Sequence, residues 1–278
     1  MDNKPRRKFF DTFIGIFILA AIILVIAGSI LVNKDAMPFL TDQNVRYITF
    51  AYTLRIIEVL IMLIIFSIIK RTRFLLDSFN LKNNKLIPGL LLGILLNGIC
   101  VSFALLHKDL TLSLNSINIG LLVYALISVG IQSASEEILT RLYIFKMIRR
   151  TYENPWVAII TNSVFFALCH VFNDGVTITA IISVFAISIF LSILVYLYDD
   201  IWIAIGVHTG WNFTQAFILG LPNSGESSVY SVYKVTNSTS SIFYNKIFGI
   251  EDAIPTIIVL IVSSVLFWFL SKKNKKAT

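Results

Sequence analysis

Residues 176–219 read VTITAIISVFAISIFLSILVYLYDDIWIAIGVHTGWNFTQAFIL. Val176–Tyr198 and Ile201–Leu219 are mostly apolar, and each has about the 20 residues that an α-helix needs to cross a bilayer. Only Asp199 and Asp200 separate them, so they are predicted to form a tight antiparallel hairpin inside a membrane. The second carries His208 and Asn212, four residues apart and therefore on one helical face.

Working outward, six further apolar stretches meet the same criterion: Phe10–Val32, Ile48–Ile69, Leu86–Leu106, Ile117–Phe145, Pro155–Phe172 and Ile254–Leu270. The expectation is an all-α, polytopic transmembrane bundle of about eight helices, with residues 1–278 as a single membrane domain. Composition agrees, with 56% hydrophobic and 14% charged residues, against roughly 25% charged in a soluble domain. The basic start followed by an apolar run has the outline of a signal peptide. Phe13–Val32 is long enough to span, however, and no clear small-residue cleavage site follows, so it is expected to stay as an anchor.

The net charge of +7 does not point to a nucleic-acid partner. Lys and Arg gather in short blocks beside apolar stretches, at 4–8, 70–73 and 272–276, where anionic membrane lipid is the expected partner. With the N-terminus inside, four of five inner segments are basic and the exception is Asp199-Asp200, so both termini are predicted to be cytoplasmic in a cell membrane. The Ser-, Asn-, Thr- and Tyr-rich stretch 222–252 is then an extracytoplasmic loop. Usage rich in Ile, Asn and Lys suits a bacterium with an AT-rich genome. Cys100 and Cys169 show no ligand spacing and read as free thiols.

Ionisable groups inside spanning helices cost about 2.5–3.5 kcal/mol each on insertion scales, which makes them functional suspects. Arg55 and Glu58, three residues apart, read as a self-compensating structural pair. Glu136 and Glu137 are adjacent and point about 100° apart. Arg141 lies four residues after Glu137, within reach of an ion pair, which leaves Glu136 free to face a polar cavity. His170 and His208 lie in two further spans, and His107 reads as an interfacial residue at a helix end. Taken singly, each of these also fits interhelical hydrogen bonding.

Together they form three ordered motifs: E-E-x-x-x-R at Glu136–Arg141, F-x-x-x-H at Phe166–His170, and H-x-x-x-N at His208–Asn212. This set resembles the CAAX-protease and bacteriocin-processing (CPBP, Abi) family of intramembrane glutamic endopeptidases, over core helices at 117–219. The resemblance implies that Glu136 and His170 activate water for attack on a peptide carbonyl in a membrane-associated peptide or protein. It implies that His208 and Asn212 stabilise the oxyanion, and that the Glu137–Arg141 ion pair keeps the helices in register. No cofactor is expected, although the resemblance by itself does not exclude a metal. There is no H-E-x-x-H and the histidines come from separate helices, so a metal-free mechanism is favoured over a zinc site. One departure is that Thr140 and Leu142 flank Arg141 where family members usually carry Phe and Gly. This keeps open a non-catalytic relative acting in bacteriocin immunity or as a scaffold. Straight helices also set Glu136, about 14 Å from Phe145 at ~1.5 Å per residue, and His170 at different depths.

Overall fold

The computed structural model describes residues 13–30, 40–79 and 84–274. The N-terminal basic block, Lys34, Asp35, the ends of the first predicted span and the last residues of the C-terminal lysine run lie outside the described residues. In chain order the helices are α1 (Phe13–Ile30), α2 (Gln43–Ala51), α3 (Ile56–Ile68), α4 (Leu86–Leu106), α5 (Ile119–Glu137), α6 (Lys146–Thr151), α7 (Pro155–Leu168), α8 (Ile178–Tyr198), α9 (Ile201–Phe213) and α10 (Ile254–Asn274). Each of the eight predicted spans is helical over most of its described residues, although the fifth ends at Leu168, which leaves His170 in the turn that follows rather than in the helix. Among the described residues, four helices are long and apolar enough to cross a membrane: Gln43–Ile68, Leu86–Leu106, Ile119–Thr151 and Ile178–Tyr198. Pro155–Leu168 and Ile254–Leu270 are apolar but shorter.

The bundle inverts the usual soluble pattern. Leu91, Leu95, Ile64, Ile258 and Phe269 face outward, while Asn97, Glu137, Arg141, Asn162, Ser188 and Ser192 are buried. Outward apolar faces suit lipid, and each inward polar group needs a partner in a neighbouring helix. The α8–α9 hairpin forms as its two-residue connector requires. Asp199 takes a left-handed conformation (φ 48°) and Asp200 caps α9 by accepting from Trp202 N at 2.8 Å. The acids that broke the loop-charge pattern are thus committed locally. Asp199 pairs with Lys146 at 2.9 Å, and Asp200 also accepts from Lys85 N at 2.8 Å.

Helix α9, the carrier of His208 and Asn212, lies directly against α4 because glycines let the backbones touch. A Cβ on Gly93 would sit 2.1 Å from Val207 O, and one on Gly210 2.2 Å from Leu90 O. This is the small-xxx-small packing of membrane helices, with Gly89 and Gly93 facing Gly206 and Gly210.

Two features differ from the sequence expectation. The stretch read as a plain loop contains a strand, β2 (Tyr233–Ser238), paired antiparallel with β1 (Leu110–Leu114) and bulged between Thr111 and Leu112. It also ends in a 3-10 turn, Ile250–Asp252. Long-range strand pairing leaves little local trace in residues this polar. The fourth predicted span, in turn, runs on past Phe145. After α5 it widens into a π-helical segment, Ile138–Phe145, and continues through α6 to Thr151.

That extension removes the depth mismatch between Glu136 and His170. Fifteen residues separate Glu136 from Thr151, and fifteen separate Pro155 from His170, across the short turn that joins α6 to α7. Glu136 and His170 accordingly both line one cavity.

Candidate active site

A cavity of about 820 Å³ opens between α2–α3, α5, the end of α7, and α9. Glu136, His170, His208 and Asn212 all line it, joined by Gln132, Arg55 and Glu58. A sizeable cavity with convergent ionisable groups is where chemistry is expected.

One face of α5 carries a polar ladder at four-residue intervals: Tyr124, Ser128, Gln132 and Glu136. The upper rungs hold α2–α3 in place. Thr53 Oγ1 lies 2.9 Å from Tyr124 Oη and 2.8 Å from Ser128 Oγ, at a 3-10 break, Thr53–Arg55. The break turns Arg55 onto the cavity wall, where it is ion-paired with Glu58. The lower rungs serve the site. Gln132 Nε2 donates to Glu136 Oε1, and Asn212 Nδ2 donates to Gln132 Oε1 at 3.3 Å. Gln132 therefore links Glu136 to Asn212. It was missed in the sequence because it is uncharged, although its position four residues before Glu136 puts it on the same face.

Glu137 points away from Glu136, into the protein. Its carboxylate and the Arg141 guanidinium are fully buried, with Arg141 Nη1 3.0 Å from Glu137 Oε1. Arg141 Nη1 also donates to Thr140 Oγ1 at 2.9 Å, and Nη2 to Ser188 Oγ at 2.7 Å on α8. The guanidinium lies 4.4 Å from the Phe166 ring centroid on α7. One arginine thus joins three helices. Thr140, a departure from the family motif, is part of this web, since its Oγ1 donates to Glu136 O at 2.6 Å.

His208 lies between the two glutamates. Its Nδ1 is 2.9 Å from Glu137 Oε1, and its Nε2 is 3.9 Å from Glu136 Oε2. An ionised carboxylate only accepts, so Nδ1 carries the proton and Nε2 is turned toward Glu136 and the cavity. His170, in the turn after α7, has Nδ1 2.8 Å from Phe166 O. A carbonyl also only accepts, so Nδ1–H is the donor and Nε2 is left for the cavity. Among the described residues no hydrogen bond or ion pair joins His170 to Glu136 directly; the nearer histidine to Glu136 is His208. No group of three His, Cys, Asp or Glu among the described residues is arranged to hold a metal ion.

The backbone changes character at the site. The π segment Ile138–Phe145 begins directly after Glu136 and Glu137, and a second, Thr214–Ile218, begins two residues after Asn212. Such π segments are frequent at functional sites. Neither was legible in the sequence, because a widened turn has no residue code of its own.

Comparison with known proteins agrees with the motifs. Residues 118–214 match the family model described as type II CAAX prenyl endopeptidase Rce1-like. No curated protein and no solved structure matches the chain. The matched segment, a little over a third of the chain, contains Gln132, Glu136, Glu137, Arg141, His170, His208 and Asn212, so the segment of this membrane protein that carries the three motifs is similar to the CAAX-type membrane proteases.

Proposed function

We propose that this chain is an intramembrane endopeptidase that hydrolyses a peptide bond of a membrane-associated peptide or protein with water held by Glu136 and His170. One observation carries the reading: four motif residues, from α5, the turn after α7, and α9, meet on one cavity of about 820 Å³. Glu136 accepts from Gln132 through Oε1 and keeps Oε2 for the cavity, while His170 offers Nε2. A water between these two acceptors gives up a proton as its oxygen adds to the scissile carbonyl carbon. The new oxyanion takes hydrogen bonds from Asn212 Nδ2 and from His208 Nε2–H, the latter with His208 in its doubly protonated imidazolium form. Collapse of the tetrahedral intermediate breaks the C–N bond, and the proton taken from water passes to the leaving amine.

Glu137 belongs to this scheme through His208, whose tautomer and tilt it sets, as well as through Arg141. The same reading has the chain in a cell membrane with both termini cytoplasmic, on the strength of the Lys and Arg blocks beside the spans.

The test uses full-length protein in proteoliposomes and a panel of quenched fluorogenic peptides, with Glu136→Ala and His170→Ala beside wild type. Loss of cleavage in both variants is expected, and equal cleavage by all three proteins sinks the mechanism. Proteomics of membrane and secreted peptides from cells with wild-type or Glu136→Ala protein identifies the substrate. A cellular phenotype fully retained by Glu136→Gln favours the non-catalytic immunity or scaffold role instead.

A further inference from the structure

Within the matched segment the His170 turn meets α9 through the Phe166 ring, 4.7 Å from the His170 ring and 6.2 Å from the His208 ring. His170 sits in a turn beyond the end of α7, and Asn212 is at the end of α9. A second, hydrogen-bonded link runs outside that segment, through the loop before α10.

The turn Asn223–Glu226 is closed by two backbone bonds, Asn223 N to Glu226 O at 2.8 Å and Glu226 N to Asn223 O at 2.9 Å. Ser224 is its hub and holds a left-handed conformation (φ 49°) that non-glycine residues rarely adopt. On one side, Ser224 O accepts from Asn173 Nδ2 at 2.8 Å, three residues after His170. On the other, Ser224 N–H and Oγ–H donate to Glu251 Oε2 at 2.6 and 2.7 Å. The remaining oxygen of Glu251 accepts from Trp211 Nε1 at 3.1 Å, and Trp211 is the buried residue directly before Asn212.

The path His170 turn, Asn173, Ser224, Glu251, Trp211, Asn212 is therefore closed by hydrogen bonds throughout. A second contact supports it independently. Gly225 (φ 91°) packs its Cα on the His170 turn so closely that a Cβ would lie 2.4 Å from Asp174 O. Burying a carboxylate is costly, and Glu251 has no cation within ion-pair distance among the described residues. Three donors converge on it instead, which is more than a capping role at a 3-10 turn needs.

We infer that Glu251 is a positioning residue of the site: with Ser224 and Trp211 it clasps the His170 turn to the end of α9 and sets the spacing between His170 and the His208–Asn212 face. The inference rests on the endopeptidase reading for its catalytic consequence, but not for its structural one.

Two readouts separate them. The first is amide hydrogen exchange on full-length protein in detergent, comparing wild type with Glu251→Ala, Glu251→Gln and Trp211→Phe. Peptides covering 169–176 are expected to exchange about tenfold faster in Glu251→Ala and Trp211→Phe, less so in Glu251→Gln, with α4 unchanged. Exchange at 169–176 that stays at the wild-type rate overturns the inference, and so does equal acceleration of α4, which means general loosening. Trp211→Phe keeps an aromatic ring but removes the indole N–H donor together with part of the buried ring; with α4 exchange as the control for lost packing, it remains informative if Glu251→Ala does not fold. The second readout is cleavage, where kcat falls about a hundredfold and KM changes little, as for misplaced reacting groups. A rise in KM alone overturns the positioning role. If wild type cleaves nothing, the endopeptidase reading fails while the exchange result still decides the clasp.

Discussion

Replacing Arg141 by Met tests the buried web that holds the site together. Methionine keeps much of the aliphatic stem but removes the guanidinium, which is fully buried and bonds Glu137, Thr140 and Ser188. Glu137 would then keep only His208 as a partner, through an oxygen it now shares with Arg141. An uncompensated buried charge costs about 3–5 kcal/mol, and that term dominates. The lost donors to Ser188 and the Phe166 ring overlap with it and are not added separately. The expected loss is therefore about 3–5 kcal/mol for Arg141→Met. Adding Glu137→Gln removes the stranded charge and leaves an acceptor for His208 Nδ1. The double variant should return to within about 2 kcal/mol of wild type. Equilibrium unfolding in mixed detergent–SDS micelles, followed by tryptophan fluorescence, measures both. A single-variant loss under about 1 kcal/mol, or a double variant weaker than the single one, refutes the argument that Glu137 depends on Arg141 for its burial.

Three further outcomes are expected. Gln132→Ala removes the bridge between Glu136 and Asn212 and should lower kcat about tenfold or more with the fold intact, so unchanged turnover removes Gln132 from the site. Gly93→Ala drives a Cβ to 2.1 Å from Val207 O; it should cost about 1–3 kcal/mol and displace His208, and wild-type stability with full activity shows that α4 and α9 are not seated on each other this closely. The third concerns pH. Burial works against the charge of Asp109, yet bonds from Ser241 and His107 outweigh it and hold the carboxyl below the usual range; its stabilisation is present above the ordinary carboxylate pKa and is lost as pH falls through the depressed one. Glu251, pushed up by burial despite the Ser224 and Trp211 donors, has the opposite sign: it favours the fold at low pH and loses that contribution as pH rises through its raised pKa. Melting curves across pH should show Asp109→Asn with a shallower acid loss than wild type, and identical acid slopes exclude the Asp109 contribution.

What the sequence determined by itself was the solvent and the polar residues set within it. Runs of apolar residues about 20 long select a membrane whatever surrounds them, because backbone groups in lipid must be satisfied within each helix. The few ionisable residues inside those runs, at 55, 58, 136, 137, 141, 170 and 208, stood out because such groups are costly there. The i, i+4 spacing of Glu137 with Arg141 and of His208 with Asn212 is local helix geometry, so it too could be read without a fold.

Only the tertiary structure decided how these pieces meet. That His208 spans both glutamates, with Glu137 at 2.9 Å and Glu136 at 3.9 Å, depends on the seating of α9 on α4 and α5. The G-x-x-x-G pairs behind that seating were present in the sequence, but which helix faces which was not. That Glu136 and His170 line one cavity depends on a helix that continues through a π segment to Thr151, a backbone choice made by packing. The Glu251 clasp joins residues from three loops and a helix end, and distant polar contacts of this kind have no period to read. Local spacing is written in the chain; the register between helices is set only when their side chains and glycines pack.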